Sequence, residues 1–391
     1  MSLSHTDVPA QAAVAESAAV LDVLVLGAGP AGLSVGHELR TRGVSFLILE
    51  RGEAAGESWR RMPTNLKLVS PWKSNFLPGT APARLPGNYE MSRAEYCDYL
   101  ASYAKDQQLP VKSGVTVTTV ERDHDGVFLV RSSGGDFRAR CLVNATGGSS
   151  KAFIPKFDGA EDSTIPQLHV ADYRDPAQVK QLVGERTGPV LIVGKRLSAG
   201  QVLVDLVDAG IDVVLSHRSK IRFGGGALMK WLNFRMLPVI EAIKINFLGQ
   251  ATCGFEVTMD GGQARQLIRS GKVRTYPDVN RLQGNSVLFK DGTRLKPSLV
   301  LFATGFRPTL DHLHSLLGDV PDRRRLPPLD GMESAFIPGL FFIGLENQRN
   351  LRSHYLRGIR EDAAVVAEEV GLRLVWLSRK SSASAAPSKV A

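Results

Sequence analysis

The stretch Leu21–Glu50, LDVLVLGAGPAGLSVGHELRTRGVSFLILE, decides the fold of this chain. Its first apolar run predicts a strand, a helix follows the glycine-rich turn, and a second apolar run ends at an acid. The turn is a complete GxGxxG, in which Gly27 makes the tight turn, Gly29 leaves room for a pyrophosphate and Gly32 lets the helix pack on the strand. Glu50 lies where ribose hydroxyls need an acceptor. The stretch therefore predicts a dinucleotide-binding β-α-β unit.

The composition is typical of a globular protein with two domains. The 391 residues are 43% hydrophobic, enough for two cores of ordinary size. The net charge is +9, but the basic residues are spread along the chain, which argues against a nucleic-acid surface and favours attraction of anionic cofactors. Cys97, Cys141 and Cys253 lie far apart, so we expect no disulfide framework, no metal site and a reducing, cytoplasmic location.

Both ends of the chain lack a regular pattern. Residues 1–20 have neither the basic start nor the apolar block of a signal peptide, so a flexible leader is expected. Residues 379–391 are rich in Ser and Ala and are expected to form a disordered tail. We expect no stable membrane insertion, and the sequence leaves the oligomeric state open.

The region after the opening unit begins with a loop rich in Pro, Gly and Trp, residues 52–88. Helical spacing of Tyr and Leu predicts a helix over 92–108 with a buried tyrosine face. Alternating runs at 115–120 and 127–131 predict an antiparallel meander. The meander closes in a strand that runs into Ala145-Thr146-Gly147.

The opening pattern returns in the middle of the chain. A strand over 190–193, then Gly194, a helix and a strand over 213–216 predict a second nucleotide-binding unit. A partly helical insertion is expected over 222–270. The unit ends in Ala303-Thr304-Gly305, which repeats the first Ala-Thr-Gly.

These two units, together with a terminal strand, Gly344 and a helix over 353–377, resemble the two-dinucleotide-binding flavoproteins. The resemblance implies an α/β fold built from two Rossmann-like domains. An FAD-binding domain would comprise residues 21–188 and 303–378. An NAD(P)H-binding domain, residues 189–302, would be inserted into it.

The segment after Glu50 indicates the branch of that superfamily. GESWR at 56–60, LKLVSP at 66–71 and LPG at 77–79 are similar to the flavin-facing segment of flavin-containing monooxygenases, which are class B flavoprotein monooxygenases. The plant auxin-forming type and its bacterial relatives share this segment. The disulfide reductases of this fold need a redox-active cysteine pair near the flavin, and no two cysteines here are close in sequence.

The resemblance implies a set of site residues. Ser70 and Asn75 are the catalytic candidates near the flavin, and ordinary loop residues would equally explain both. The candidate cofactor-binding residues are Gly27, Gly29, Pro30, Ala31, Gly32, Glu50, Arg51, Ser58, Trp59, Arg60, Leu68, Ser70, Val117, Ala145, Thr146, Gly147, Gly194, Lys195, Arg196, Ser198, Arg218, Ala303, Thr304, Gly305, Gly344 and Gly358.

The second glycine loop departs from the family pattern. Its middle glycine is replaced by Arg196, whose side chain would occupy the space for close pyrophosphate approach and weaken NAD(P)H binding. Alternatively, Lys195 or Arg196 supplies charge to the phosphates. Arg218 favours a 2′-phosphate, hence NADPH with NADH as the alternative, although a solvated surface arginine would also explain it.

Two further departures concern the reaction type. The linker fingerprint FxGxxxHxxxY is kept only at His169 and Tyr173, and its tyrosine differs from the tryptophan that ends the Baeyer-Villiger version. Ser70 stands where many flavin-containing monooxygenases hold an asparagine over the flavin. The bacterial relatives tolerate serine there, so the resemblance still implies oxygen chemistry.

The function implied by the resemblance is an FAD-dependent monooxygenase. NADPH would reduce FAD, and O₂ would form a C4a-(hydro)peroxyflavin that oxygenates a nitrogen, sulfur or carbonyl centre of a small molecule. One alternative is an FAD-dependent NAD(P)H reductase or oxidase that passes electrons to a protein, a quinone or O₂. Another is a flavin-binding protein without turnover.

Overall fold

The computed structural model describes residues 19–68, 70, 72–80, 89–224, 258–259, 261–318, 328–346, 348–350 and 352–384. The strands are β1 (Val20–Leu26), β2 (Phe46–Leu49), β3 (Val111–Lys112), β4 (Val117–Arg122), β5 (Phe128–Ser132), β6 (Phe137–Asn144), β7 (Lys151–Ala152), β8 (Gln167–His169), β9 (Val190–Val193), β10 (Val213–Ser216), β11 (Arg274–Tyr276), β12 (Val279–Gln283), β13 (Ser286–Phe289), β14 (Arg294–Leu295), β15 (Leu299–Phe302), β16 (Phe306–Arg307), β17 (Leu329–Asp330), β18 (Glu333–Ser334) and β19 (Leu340–Phe342). The α-helices are α1 (Pro30–Thr41), α2 (Glu57–Arg60), α3 (Arg93–Asp106), α4 (Pro176–Val183), α5 (Leu197–Asp208), α6 (Gln263–Arg269), α7 (His314–Leu317) and α8 (Leu356–Ser384).

The first sheet is built around β1. In the described part of the chain its order is β17-β18-β19-β6-β1-β2-β3, with β4 and β5 attached to β6. Strands β2, β1, β6 and β19 run parallel, so their carboxyl ends share one edge. Strands β4, β5 and β6 pair antiparallel, which confirms the predicted meander.

The second sheet repeats the opening unit. Its order is β11-β10-β9-β15-β8, and all its pairs are parallel. The unit β9-α5-β10 corresponds to β1-α1-β2, because in each case a helix carries the chain between two parallel neighbours. The predicted α/β fold with two Rossmann-like domains is confirmed.

The second unit includes residues that the sequence analysis grouped with the first. Strand β8 pairs with β15, Val179 of α4 is buried in the second core, and Phe157 stacks on Phe302 at 5.8 Å between ring centroids. We therefore propose that the second unit begins near Phe153 instead of at residue 189. The sequence of this stretch does not reveal its short strand and helix, because it is rich in Pro and Asp and shows no clear hydrophobic period.

The helices largely follow the predicted pattern. Ser92 caps α3 in a capping box with Glu95, and Tyr96 and Tyr103 are buried. Helix α8 is longer than expected and reaches Ser384, although the tail was predicted to begin at residue 379. Its partly buried Leu374 and Leu377 pack on the first core, which supports the helix where the sequence becomes polar.

Parts of several predictions lie outside the described residues. They include residues 1–18 of the leader, residues 69, 71 and 81–88 of the loop after the opening unit, residues 225–257 and 260 of the insertion with Cys253, and residues 385–391 of the tail. Helix α6 belongs to the described part of the insertion. Within the part of the chain that the structure describes, no helix is long and apolar enough to cross a bilayer.

Gly32 in α1 packs closely against the first glycine loop. A Cβ at this position would overlap the carbonyl oxygen of Gly27 and would lie 3.4 Å from the Cβ of Ala145. We expect Gly32→Ala to lower the free energy of unfolding by about 3 kcal/mol, because backbone atoms must move to admit the methyl group.

Urea unfolding followed by circular dichroism measures this change. Gly371→Ala is the matched control, since a Cβ at Gly371 in α8 meets no atom within 4 Å. An unfolding midpoint of Gly32→Ala equal to that of the unmodified chain would contradict the packing role.

Candidate functional site

The first glycine loop joins β1 to α1 and is closed by contact with the end of β6. Gly27 has φ +102°, a left-handed conformation that favours glycine, and its amide donates to the carbonyl of Leu49 at 2.7 Å. A Cβ here would lie 2.9 Å from the carbonyl oxygen of Ala145. Glycine is therefore required at position 27 by both conformation and space.

The amino-terminal end of α1 is suited to an anion. Gly29 is the N-cap residue, no described side chain caps it, and Pro30 begins the helix without an acid in its first turn. Only Ser58 Oγ, at 3.9 Å, comes near the place of a Cβ at Gly29. First-turn amides and the helix dipole attract negative charge, so this cradle fits the diphosphate of a dinucleotide.

Glu50 follows β2 and braces the same loop. Its side chain is buried, with Oε2 accepting from the amide of Ala28 at 2.8 Å and Oε1 accepting from the amide of Gly52 at 2.8 Å. A carboxylate has further lone pairs for hydroxyl groups. Glu50 thus has a structural role that the motif did not predict, in addition to its predicted role as ribose acceptor.

The ends of other parallel strands meet this helix terminus. Gly344, just beyond β19, has φ +80°, and a Cβ there would lie 3.4 Å from the Cβ of Ala31. A Cβ at Gly148, beyond β6, would lie 3.7 Å from the carbonyl oxygen of Gly344. The structure therefore brings the α1 terminus, the Ala-Thr-Gly segment and Gly344 to one crevice at the carboxyl edge of the sheet, where α/β folds bind ligands.

The predicted flavin-facing segment is only partly directed at this crevice. Ser58 is next to Gly29, whereas half-buried Trp59 packs edge-on against Tyr96 at 4.7 Å between ring centroids. Exposed Arg60 pairs with Glu57 at 3.3 Å. Of these residues, Ser58 is the one in contact range of the cradle.

The two catalytic candidates lie together. Asn75 is 1% exposed, and its Nδ2 donates to the carbonyl of Ser70 at 3.3 Å. Its Oδ1 has no hydrogen-bond partner among the described residues. Buried polar atoms are normally paired, and the described residues provide no donor for this amide oxygen.

The start of α8 is held by an ion pair that sequence reasoning missed. Arg349 Nε contacts the buried carboxylate of Asp362 at 2.7 Å, and burial is the main reason why the pKa of Asp362 is raised. A Cβ at Gly358 would overlap the carbonyl oxygen of Arg352, so this glycine permits close packing of the preceding loop. The two residues are 13 positions apart, a spacing that matches no helical or strand period, so the sequence did not predict the pair.

The second glycine loop repeats the closing contact of the first. A Cβ at Gly194 would lie 2.6 Å from the carbonyl oxygen of Ala303. The equivalent distance in the first loop, from a Cβ at Gly27 to the carbonyl oxygen of Ala145, is 2.9 Å. Arg196 is the N-cap residue of α5 with φ −107°, a conformation open to any residue, and it is exposed. The third glycine has another partner, since a Cβ at Gly200 would lie 2.7 Å from Cγ of buried Met259.

The second loop has basic neighbours. Lys195 Nζ donates to Ser219 Oγ at 2.7 Å, across the loop that follows β10. Arg218, the residue before that serine, is exposed. Ser198 lies in the first turn of α5 and is half-buried. These residues could bind phosphate groups by charge and by the helix terminus.

The remaining predicted residues lie around the two loops and the crossing between units. Leu68 is buried, Arg51 is exposed, and Val117 is half-buried on β4. Thr146 Oγ1 donates to Asn144 Oδ1 at 3.2 Å, and Gly147 has φ +79°.

The second Ala-Thr-Gly segment pairs with the outgoing chain. Thr304 Oγ1 donates to the carbonyl of Phe153, and the carbonyl of Gly305 accepts from the Phe153 amide at 3.0 Å. Beyond them β7 and β16 form an antiparallel ribbon. This ribbon is the place where the chain crosses between the two units.

The described cysteines are poorly suited to disulfide exchange. Cys97 and Cys141 are both buried, and burial raises the pKa of Cys141 to about 12 and also raises that of Cys97. Thiolate character controls cysteine reactivity, so neither thiol is activated. In the described ranges no group of three or more His, Cys, Asp or Glu side chains is arranged to hold a metal ion.

Comparisons with known proteins agree with this geometry. The family model described as pyridine nucleotide-disulphide oxidoreductase matches residues 24–344. An uncharacterized CzcO-like oxidoreductase of Geobacillus kaustophilus is 28% identical over 355 residues, which cover 90% of this chain and 98% of the relative. The indole-3-pyruvate monooxygenase YUCCA1 of Oryza sativa subsp. japonica is 27% identical, with 92% and 93% covered.

A solved structure gives the same result. The flavin-containing monooxygenase from Stenotrophomonas maltophilia is 25% identical to this chain, with a TM-score of 0.73 and coverage of 90% of this chain and 98% of that one. The resemblance to flavin-containing monooxygenases that the sequence predicted is confirmed. The chain belongs to the pyridine nucleotide-disulphide oxidoreductase family, and it is an oxidoreductase whose relatives include flavin monooxygenases.

Proposed function

We propose that this chain is an FAD-dependent monooxygenase that consumes NADPH and O₂ and oxygenates a nitrogen, sulfur or carbonyl centre of a small molecule. The observation that carries the proposal is the pair of glycine loops closed by the same contact, Gly27 on Ala145 and Gly194 on Ala303. Two equivalent loops in one chain suit two dinucleotides. The monooxygenases among the relatives support the choice of reaction.

FAD fits the first loop. The cradle beside Gly29 would hold the diphosphate, and Glu50 would accept from ribose hydroxyls while it keeps the loop in place. When bound, FAD supplies the chemistry of taking two electrons from a nicotinamide and passing them to oxygen. The protein's part is to bind, orient and exclude water.

Asn75 is the residue we assign to orientation near the reacting atoms. Its Nδ2 donates to the carbonyl of Ser70, which fixes the orientation of the amide and leaves Oδ1 without a partner among the described residues. An amide oxygen accepts hydrogen bonds and is not protonated at neutral pH. Trp72 and Phe76 pack edge-on at 4.6 Å between ring centroids, and both are buried. This aromatic pair helps to exclude water from the region of Asn75.

NADPH fits the second loop better than NADH does. Lys195 crosses the loop to Ser219, and Arg218 is exposed beside that serine. A 2′-phosphate would meet positive charge at this place. Arg196 is exposed and has an unstrained backbone conformation, which supports the interpretation that its charge takes the place of close backbone approach.

The cradle beside Gly29 permits a sharp test of FAD binding. We expect Gly29→Val to fold, because its backbone conformation (φ −79°) suits any residue and a Cβ there would make only an ordinary contact with Ser58 Oγ at 3.9 Å. The same side chain would occupy the diphosphate position, so FAD should be lost after gel filtration. Absorbance at 450 nm per chain measures retention. Gly371→Val is the control, and a yellow, stoichiometrically loaded Gly29→Val would contradict the assignment.

The choice of nicotinamide coenzyme is tested at Arg218. We expect Arg218→Ala to raise the Kd for NADPH roughly tenfold and leave that for NADH unchanged, because one charge-assisted phosphate contact is lost. Arg294→Ala removes an exposed arginine from β14 and is the matched control. Titration of the FAD-loaded protein with each coenzyme gives both constants. Equal losses for NADPH and NADH would contradict the 2′-phosphate role.

Oxygen incorporation tests the reaction itself. The FAD-loaded chain is supplied with NADPH, ¹⁸O₂ and, separately, an aryl methyl sulfide, a tertiary amine and a cyclic ketone. We expect one ¹⁸O atom in the product of at least one probe, with one NADPH consumed per product. NADPH oxidation that yields only H₂O₂, or electrons passed to a quinone, would favour the reductase or oxidase alternative. Flavin that NADPH fails to bleach would indicate a protein without turnover.

A further inference from the structure

A polar contact joins the two units away from the ribbon of β7 and β16. The loop of residues 61–65, which follows α2, lies against residues 173–174 and against α5. The Thr64 amide donates to the carbonyl of Arg174 at 2.8 Å, and Thr64 Oγ1 donates to the same oxygen at 3.0 Å. In return, Arg174 Nη1 donates to the carbonyl of Arg61. Each unit therefore donates hydrogen bonds to a backbone carbonyl of the other.

A single carboxylate ties this contact together. Asp205 Oδ1 accepts from Asn65 Nδ2 at 3.2 Å, and its Oδ2 accepts from the hydroxyl of Tyr173. Tyr173 is 1% exposed, so its ring fixes this end of the pair within the second core. Asn65 is exposed and belongs to the first unit. Asp205 thus connects a fixed residue of one unit to a surface loop of the other.

The two ends of the contact lead to the two cofactor sites. Asp205 lies on α5, the helix that begins directly after the second glycine loop. Asn65 lies five residues after Arg60, the last residue of α2, and α2 carries Ser58 beside the cradle at Gly29. A shift at the contact would therefore move α5 relative to the segment next to the first loop.

The apolar cores do not fix the relative position of the units. Each of the four apolar clusters among the described residues lies within one unit when the second unit is taken as about residues 153–306. The connecting ribbon pairs only Phe306 with Ala152 and Arg307 with Lys151. Small polar interfaces permit domain motion, so the hydrogen bonds at Asp205 and Arg174 become decisive for placement.

We propose that Asp205 and Asn65 are positioning residues that set the approach of the second cofactor site to the first. The inference rests on the proposed function, in which NADPH in the second unit reduces FAD in the first. Transfer between bound reactants depends steeply on their separation and alignment. Loss of the contact should slow flavin reduction and leave coenzyme binding intact, since neither side chain belongs to the phosphate-binding residues.

An exchange of the two groups tests this inference. Asn65→Asp places a second carboxylate opposite Asp205, which replaces a hydrogen bond by repulsion. In the double variant Asn65→Asp with Asp205→Asn, the amide at position 205 can donate to the new carboxylate and still accept from Tyr173. Asn285→Asp adds the same charge in the exposed turn between β12 and β13 and is the matched control.

Two measurements are made on the full-length, FAD-loaded protein. Hydrogen exchange at Thr64 reports whether the contact is made, and anaerobic stopped-flow reduction by NADPH gives the limiting rate and the Kd. For Asn65→Asp we expect faster exchange and a limiting rate lowered roughly fivefold, with the Kd changed less than about twofold. The double variant should restore the slow exchange at Thr64 and the limiting rate of flavin reduction. Asn285→Asp should match the unmodified chain in both measurements.

The outcomes separate this inference from the proposed function. If NADPH reduces the unmodified protein but Asn65→Asp shows unchanged exchange, an unchanged rate, or no recovery in the double variant, the positioning role is wrong and the proposed function stands. A parallel loss in Asn285→Asp would equally overturn the role, because added charge alone would explain the effect. If NADPH does not reduce the unmodified protein, the proposed function is wrong and the inference falls with it.

Discussion

The constraint on which the structure depends is the contact between a glycine and an alanine carbonyl at the carboxyl edge of each parallel sheet. Gly27 lies against Ala145 and Gly194 lies against Ala303, so closely that a Cβ would come within 2.9 Å and 2.6 Å of the two carbonyl oxygens. These contacts depend on strand order, since β6 is the neighbour of β1 and β15 is the neighbour of β9. Each glycine turn is thereby fixed to a strand that comes more than a hundred residues later in the chain.

This arrangement determines the chemistry available at each loop. Once the turn is fixed, the helix that follows presents its first amides at the carboxyl edge of the sheet, where no described side chain caps α1 or α5. At the first loop, the carboxylate of Glu50 completes the site by holding the Ala28 amide. At the second loop, Lys195 and Arg218 add positive charge where the middle glycine is missing. The two loops thus share a framework and differ in electrostatics.

The sequence predicts those features that depend on local patterns. The strands and helices of the two β-α-β units, the meander and helix α3, and the roles of Gly27 and Gly32, follow from hydrophobic runs and from a motif whose residues act within one turn. The boundary that we propose near Phe153 has no local signal in the sequence, because β8 is short and is stabilised by pairing with β15. A Cβ at Gly200, the third glycine of the second loop, would lie against Met259, a residue that no motif connects to it.

The same physical reason explains what was missed at the sites. The anchoring of Asn75 on Ser70 lies within one irregular loop, the pair of Arg349 with Asp362 spans 13 positions, and the sharing of Asp205 by Asn65 and Tyr173 joins distant parts of the chain. Their residue types are common, and their spacing has no period. Such contacts become visible only when the chain is folded.

The measurement that tests the central claim most directly is the stoichiometry of FAD binding to the purified chain by equilibrium dialysis. A first glycine loop built to hold a dinucleotide predicts saturation at one FAD per chain. A chain that is folded by circular dichroism yet binds no FAD at any concentration would contradict the account.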